Sequence, residues 1–169
     1  MRALAKRLLS AFALAALAAA APAQMPLVGE EAIAPGARAC LGLGGDVEAT
    51  RQRLRAEGWS RGKFRAADGK ALRDPGGNVE IYGREGLLIL LTTDPAKLGC
   101  MVTAKAKAGL RLDRMVSSAS AVFGTAPFAT QSGQALWRLG TGQAIMLRHQ
   151  TAPEGASIQF VFTPTEKKL

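Results

Sequence analysis

Ala135-Leu136-Trp137-Arg138-Leu139 and Ala144-Ile145-Met146-Leu147-Arg148-His149 flank Gly140-Thr141-Gly142-Gln143. Two β-rich runs around a short turn with two glycines predict a β-hairpin. Working forward, Thr151-Ala152-Pro153-Glu154-Gly155 turns the chain again. Ala156 to Thr163 then alternates, with Ile158, Phe160 and Phe162 on one face and Ser157, Gln159 and Thr163 on the other. Strict alternation of this kind belongs to an antiparallel sheet with one buried face and one wet face.

Working backward from the hairpin, Leu110 to Phe123 carries Leu112, Met115, Val116, Ala119, Val122 and Phe123 at helical spacing, and Gly124 ends the run. Before it come three strand signals. Cys100 to Ala104 alternates, Leu87 to Thr92 is a continuous apolar run, and Val79 to Tyr82 precedes the turn Gly83-Gly86. A further helix is expected from Val47 to Glu57. Asp46 is placed as its N-cap and Glu48 lies in its first turn. Gly58 suits a left-handed stop, which would bring Leu54 and Trp59 together as the apolar pair of a Schellman motif.

The order helix, three strands, helix, three strands predicts an α+β domain. Two helices would pack on one face of a mainly antiparallel sheet of about five to six strands, in the order αβββαβββ. The halves suggest a weak duplication, each with a Cys ahead of its helix. Ser60 to Asn78 reads as a long polar loop with a short ribbon near Phe64, and residues 24–39, with Pro26, Gly29, Pro35 and Gly36, read as an extended N-terminal arm. The globular domain is expected over 40–164, and 165–169 is a polar tail.

Residues 1–23 have the three-part layout of a secretory signal peptide. Arg2, Lys6 and Arg7 are basic, Leu8 to Ala20 is apolar, and Ala21-Pro22-Ala23 presents small residues before Gln24, so cleavage is expected between Ala23 and Gln24. The apolar run falls short of the ~20 residues of a spanning helix. The expected location is periplasmic or secreted, with no transmembrane segment after processing.

That address gives the cysteines a meaning. Cys40 and Cys100 are the only two, and in an oxidising compartment they read as one disulfide. Closing a loop of about 60 residues would stabilise the fold by roughly 4 kcal/mol. No metal is expected, because one His and two distant Cys do not make a tetrahedral site. No cofactor motif is present.

Of 22 basic and 13 acidic residues, the leader holds three basic and no acidic ones, so the remainder carries a net charge of +6. Eight basic residues fall between Arg51 and Arg73. Arg51, Arg55, Arg61, Lys63 and Arg65 are therefore candidates for an anion-binding face. An exported chain does not meet cytoplasmic nucleic acid, which leaves an envelope protein or an anionic glycan or lipid surface as partner. No catalytic constellation stands out: His149 follows Arg148 on a strand, no Ser sits in a nucleophile elbow, and no carboxylates pair. The expectation is a non-catalytic protein that binds an envelope component through the basic loop. The alternative is a protein inhibitor of a periplasmic or secreted hydrolase, whose rigid loop would bind with little ordering cost.

Overall fold

The computed structural model describes residues 25–42, 46–65, 72–73, 78–94, 99–152 and 155–163. The expected leader, with its expected Ala23–Gln24 cleavage site, and the expected polar tail lie outside these residues.

Among the described residues there are three α-helices and ten strands. α1 (Ile33–Ala39) and α2 (Val47–Ala56) precede β1 (Ser60–Arg61), β2 (Phe64–Arg65), β3 (Leu72–Arg73), β4 (Val79–Arg84), β5 (Leu87–Thr92) and β6 (Gly99–Ala106). α3 (Leu112–Phe123) precedes β7 (Ala129–Gln131), β8 (Gln134–Arg138), β9 (Ala144–Ala152) and β10 (Gly155–Thr163). β2 and β3 form a separate two-stranded ribbon. The other eight make one antiparallel sheet in the order β1-β4-β5-β6-β10-β9-β8-β7. The α+β class is as expected, but the sheet has eight strands where five to six were expected, and there are three α-helices where two were expected.

Each half supplies four strands to the sheet, the first with α1 and α2 and the second with α3, and the halves meet at their last strands. β6 and β10 pair antiparallel from Ala106↔Ala156 to Cys100↔Phe162. The sheet is thus two meanders joined at the centre, with the earliest strands, β1 and β7, at its edges. Each half therefore places one more strand in the sheet than the expected αβββ order.

The N-terminal segment corrects the sequence reading. Residues 30–39 form a 3-10 turn, Glu30–Ala32, that runs into α1. Pro35 lies in the first turn of the helix, where its missing N–H has no intrahelical partner to lose. Gly36 faces the sheet so closely that a Cβ there would lie 3.4 Å from Phe160 and 3.6 Å from Val102. Residues that look like breakers in the sequence are therefore what lets α1 start and seat itself on the sheet. Ahead of it, Val28 bonds to Lys105 O and Lys107 N (2.9 and 2.8 Å), a parallel bridge on the flank of β6 beyond the β4–β5 hairpin. That hairpin turns at Glu85-Gly86, with φ of 48° and 86°, so β4 runs two residues past the expected end at Tyr82.

α2 behaves as its residues predict. Asp46 accepts from the N–H groups of Glu48 and Ala49 at 2.9 and 3.1 Å. Gly58 has φ of 83°; its N–H bonds to Arg55 O and that of Trp59 to Leu54 O, the Schellman pairing. Leu54 and Trp59 are both buried. Gly124 ends α3 in the same left-handed conformation, with φ of 69°.

The core lies between the helices and one face of the sheet. Ile89, Leu91, Val102, Ile145, Leu147, Phe160 and Phe162 face Ile33, Leu54, Met115 and Ala119. Trp137, buried as its alternation predicts, donates from its indole N–H to Ser120 Oγ at 3.2 Å. The Cys40–Cys100 disulfide, formed as expected, ties the end of α1 to β6. The last α1 carbonyls are capped from elsewhere in the chain. Arg53 donates to the carbonyl oxygens of Ala39 and Leu41, and Gln143, buried at the β8–β9 turn, donates to Cys40 O.

Candidate functional site

The basic residues singled out in the sequence do not form one free surface. Arg51, on α2, reaches across to β4 and donates from Nε and Nη2 to both oxygens of Glu80 at 3.1 and 2.9 Å. Its Nη1 bonds to Glu48 at 3.0 Å. Arg61 pairs across β1–β4 opposite Tyr82 and lies 3.6 Å from the same Glu80. Arg55 and Lys63 are exposed. β2 contains Arg65, whose side chain lies outside the described residues. Two of the five cations are thus engaged with a carboxylate inside the fold.

Glu80 and Tyr82 were not anticipated. They stand two apart on β4, so both point to the helix side of the sheet. Glu80 is 8% exposed and Tyr82 fully buried, and the phenol donates to Glu80 Oε2 at 2.9 Å. Burial alone would raise the Glu80 carboxyl, but the donors from Arg51 and Tyr82 outweigh it and hold the group below its ordinary value of 4.5. Burial, together with the neighbouring carboxylate, pushes the Tyr82 phenol up. An alternating Glu-x-Tyr on a strand beside an Arg-rich helix is the signal that could have revealed the pair.

A prediction about acid follows. Folded Glu80 gives up its proton more readily than it does in the unfolded chain, so the pair's contribution is full above pH 4.5 and is lost as pH falls through the lower folded value. Breaking a buried pair usually costs ~3–5 kcal/mol. Arg51 keeps Glu48 and some water, so Glu80→Gln is expected to cost about 2 kcal/mol at pH 7. The gap between wild type and variant in denaturant melts should narrow as pH falls below 4.5 and close once folded Glu80 is protonated. A gap independent of pH would show that the carboxylate contributes through packing alone.

His149 lies inside β9, between β8 and β10, and its backbone N–H bonds to Gly133 O at 2.7 Å. Its Nε2 and the Nε of neighbouring Arg148 are shielded from solvent and have no hydrogen-bond partner among the described residues. Among the described residues no group of His, Cys, Asp and Glu is placed to hold a metal.

The largest feature that no single residue announces is the other face of the sheet. The buried side chains of α1, α2 and α3 join the core on the face that carries Tyr82, Val102, Trp137 and Phe160, and among the described residues no helix packs on the row of side chains that points the other way. The register aligns one row across that face: Ile81↔Leu90, Leu90↔Met101, Met101↔Val161, Val161↔Met146, Met146↔Leu136 and Leu136↔Ala129. Seven strands contribute, and every member is apolar. Beyond Ile81, which is buried near Gly62, these side chains are half-buried. Around Leu90, Met101 and Val161 the surface dips into a depression of about 410 Å³, lined also by Val79, Thr92 and Thr163.

Comparison with protein-family models, curated proteins and solved structures finds no match.

Rows of mixed polarity bound the apolar one on both sides, with Leu88 in one and Val79 and Ala144 in the other. Leu88, Thr103, Gln159, Arg148 and Gln134 form one neighbour, and Thr92, Gly99, Thr163, Ala144 and Arg138 the other. At the β7–β8 end Phe128 is 65% exposed, with the Arg138 guanidinium 5.9 Å above its ring. Among the described residues, the in-strand positions of this face carry Arg138, Arg148 and Lys105 and no carboxylate.

Proposed function

We propose that this chain is an exported, non-catalytic domain that binds another component of the cell envelope, and that its binding surface is the helix-free face of the sheet. The observation that carries the reading is the apolar row from Leu90 to Ala129. A soluble domain has little reason to align half-exposed Leu, Met and Val side chains across six neighbouring strands unless something covers them. Export is supported by the leader and by the Cys40–Cys100 disulfide, and among the described residues no helix is long and apolar enough to cross a membrane. The basic loop is the lesser surface, since Arg51 and Arg61 already neutralise Glu80.

Site-specific photo-crosslinking in cells tests this. A benzophenone side chain at Leu90 or Met146 is expected to capture one discrete envelope component, while the same group at Arg55 or Lys63 captures none. Adducts confined to positions 55 and 63 would return the function to the basic loop. Absence of adducts at all four would reject binding through either surface.

A further inference from the structure

We infer that the occupant of the open sheet face is an acidic amphipathic α-helix of a partner protein, laid across the strands along the apolar row. The inference rests on the reading of that face as the binding surface and adds the chemistry of its partner. Neighbouring strands lie about 4.8 Å apart, so the row from Leu90 to Ala129, over six strands, is about 24 Å long. A helix rising 1.5 Å per residue spans that length in about 16 residues. Its apolar stripe matches a row flanked by Thr92, Thr103, Gln134 and Gln159 and widened by Leu88 and Val79 at the β4–β5 end.

The charges select the sign of the flanks. Arg148 borders the row on one side and Arg138 on the other, with Lys105 further along the Arg148 side. With no carboxylate among the in-strand positions, this face complements Asp and Glu beside the partner's apolar stripe. The same arrangement disfavours a second copy of this chain, because face-to-face pairing would bring six cations together without an acid between them. A bilayer is disfavoured by relief. Membrane surfaces are entered by protruding apolar side chains, whereas the row is half-buried and dips at its centre, and Phe128 alone stands clear of this face.

The test uses the processed full-length protein and a fluorescent peptide of about 16 residues, with Leu at i, i+3, i+4 and i+7 spacing and Glu at the flanking positions. Its counterpart carries Lys in place of Glu. The Glu peptide is expected to bind at least tenfold more tightly than the Lys peptide. Arg138→Gln with Arg148→Gln should weaken it about tenfold without moving the thermal midpoint, and Met101→Lys should abolish it. Equal affinity for the two peptides, or no binding of either, would overturn the acidic-helix assignment. Capture of the protein by vesicles of anionic phospholipid without peptide binding, or a dimer in sedimentation that Met101→Lys dissolves, would replace it by a membrane or a second copy. Crosslinking at Leu90 is unaffected by these outcomes, so the surface and its occupant fail separately.

Discussion

Trp137→Ala is expected to remove about 4 kcal/mol of stability, within the ~3–5 kcal/mol range for deleting a large aromatic from a core. The indole is fully buried on β8 and meets the Phe123 ring edge-on at a centroid distance of 5.2 Å. It also satisfies Ser120 Oγ through its N–H. Alanine would leave a cavity where the end of α3 rests on the sheet, as well as a hydroxyl without its partner. For a domain of this size the thermal midpoint should fall by roughly 12 °C. Trp137→Phe separates the two losses: it retains a ring for Phe123 but not the N–H, and should cost about 1–2 kcal/mol. A Trp137→Ala protein within 1 kcal/mol of wild type in denaturant melts would mean that α3 and the sheet can close over the gap.

Replacing both cysteines by alanine should cost about as much, near 4 kcal/mol, because the sequence separation of 60 makes the bond a strong restraint on the unfolded chain. Urea titration of the Cys40→Ala, Cys100→Ala protein measures this. The closed loop contains α2 and β1 to β5, so the native contacts of β7 to β10 should persist in the variant, with its loss appearing as a lower midpoint. An unchanged midpoint would indicate that the unfolded chain is already compact around these positions. Both sulfur atoms belong to buried residues, so reductant should act on the folded protein far more slowly than on the urea-unfolded one.

How far these features were legible depended on how local their causes are. α2 was readable from end to end because Asp46, Gly58 and Trp59 act within one or two turns of it. The hairpin at Gly140–Gln143 carried its own turn residues, and Gly142 N–H does close onto Leu139 O. α1 was missed because Pro35 and Gly36 have a helical role only once Phe160 and Val102 are placed beneath them. β7, three residues at an edge, has no periodicity to display. At the candidate site, Arg51 and Arg61 were visible as charges but not as partners of Glu80, which lies 29 residues from the first and 19 from the second. The apolar row was invisible for a stronger reason. Leu90, Met101, Val161, Met146 and Leu136 sit in five strands, and only the register places them side by side.

The meeting of the two meanders at β6 and β10 also sets the order in which the chain can be completed. A polypeptide that emerges N-terminus first finishes β1, β4, β5 and β6 as a local unit, yet the free edge of β6 has no neighbour until residues 155–163 arrive. The last strand made is therefore the middle of the sheet. During that interval an edge bearing Val102 and Ala104 is open to pairing with other chains. A truncation just before Gly155 would not trim a margin of the molecule. It would divide the sheet into two unjoined halves, each with an unpaired strand at what had been its centre.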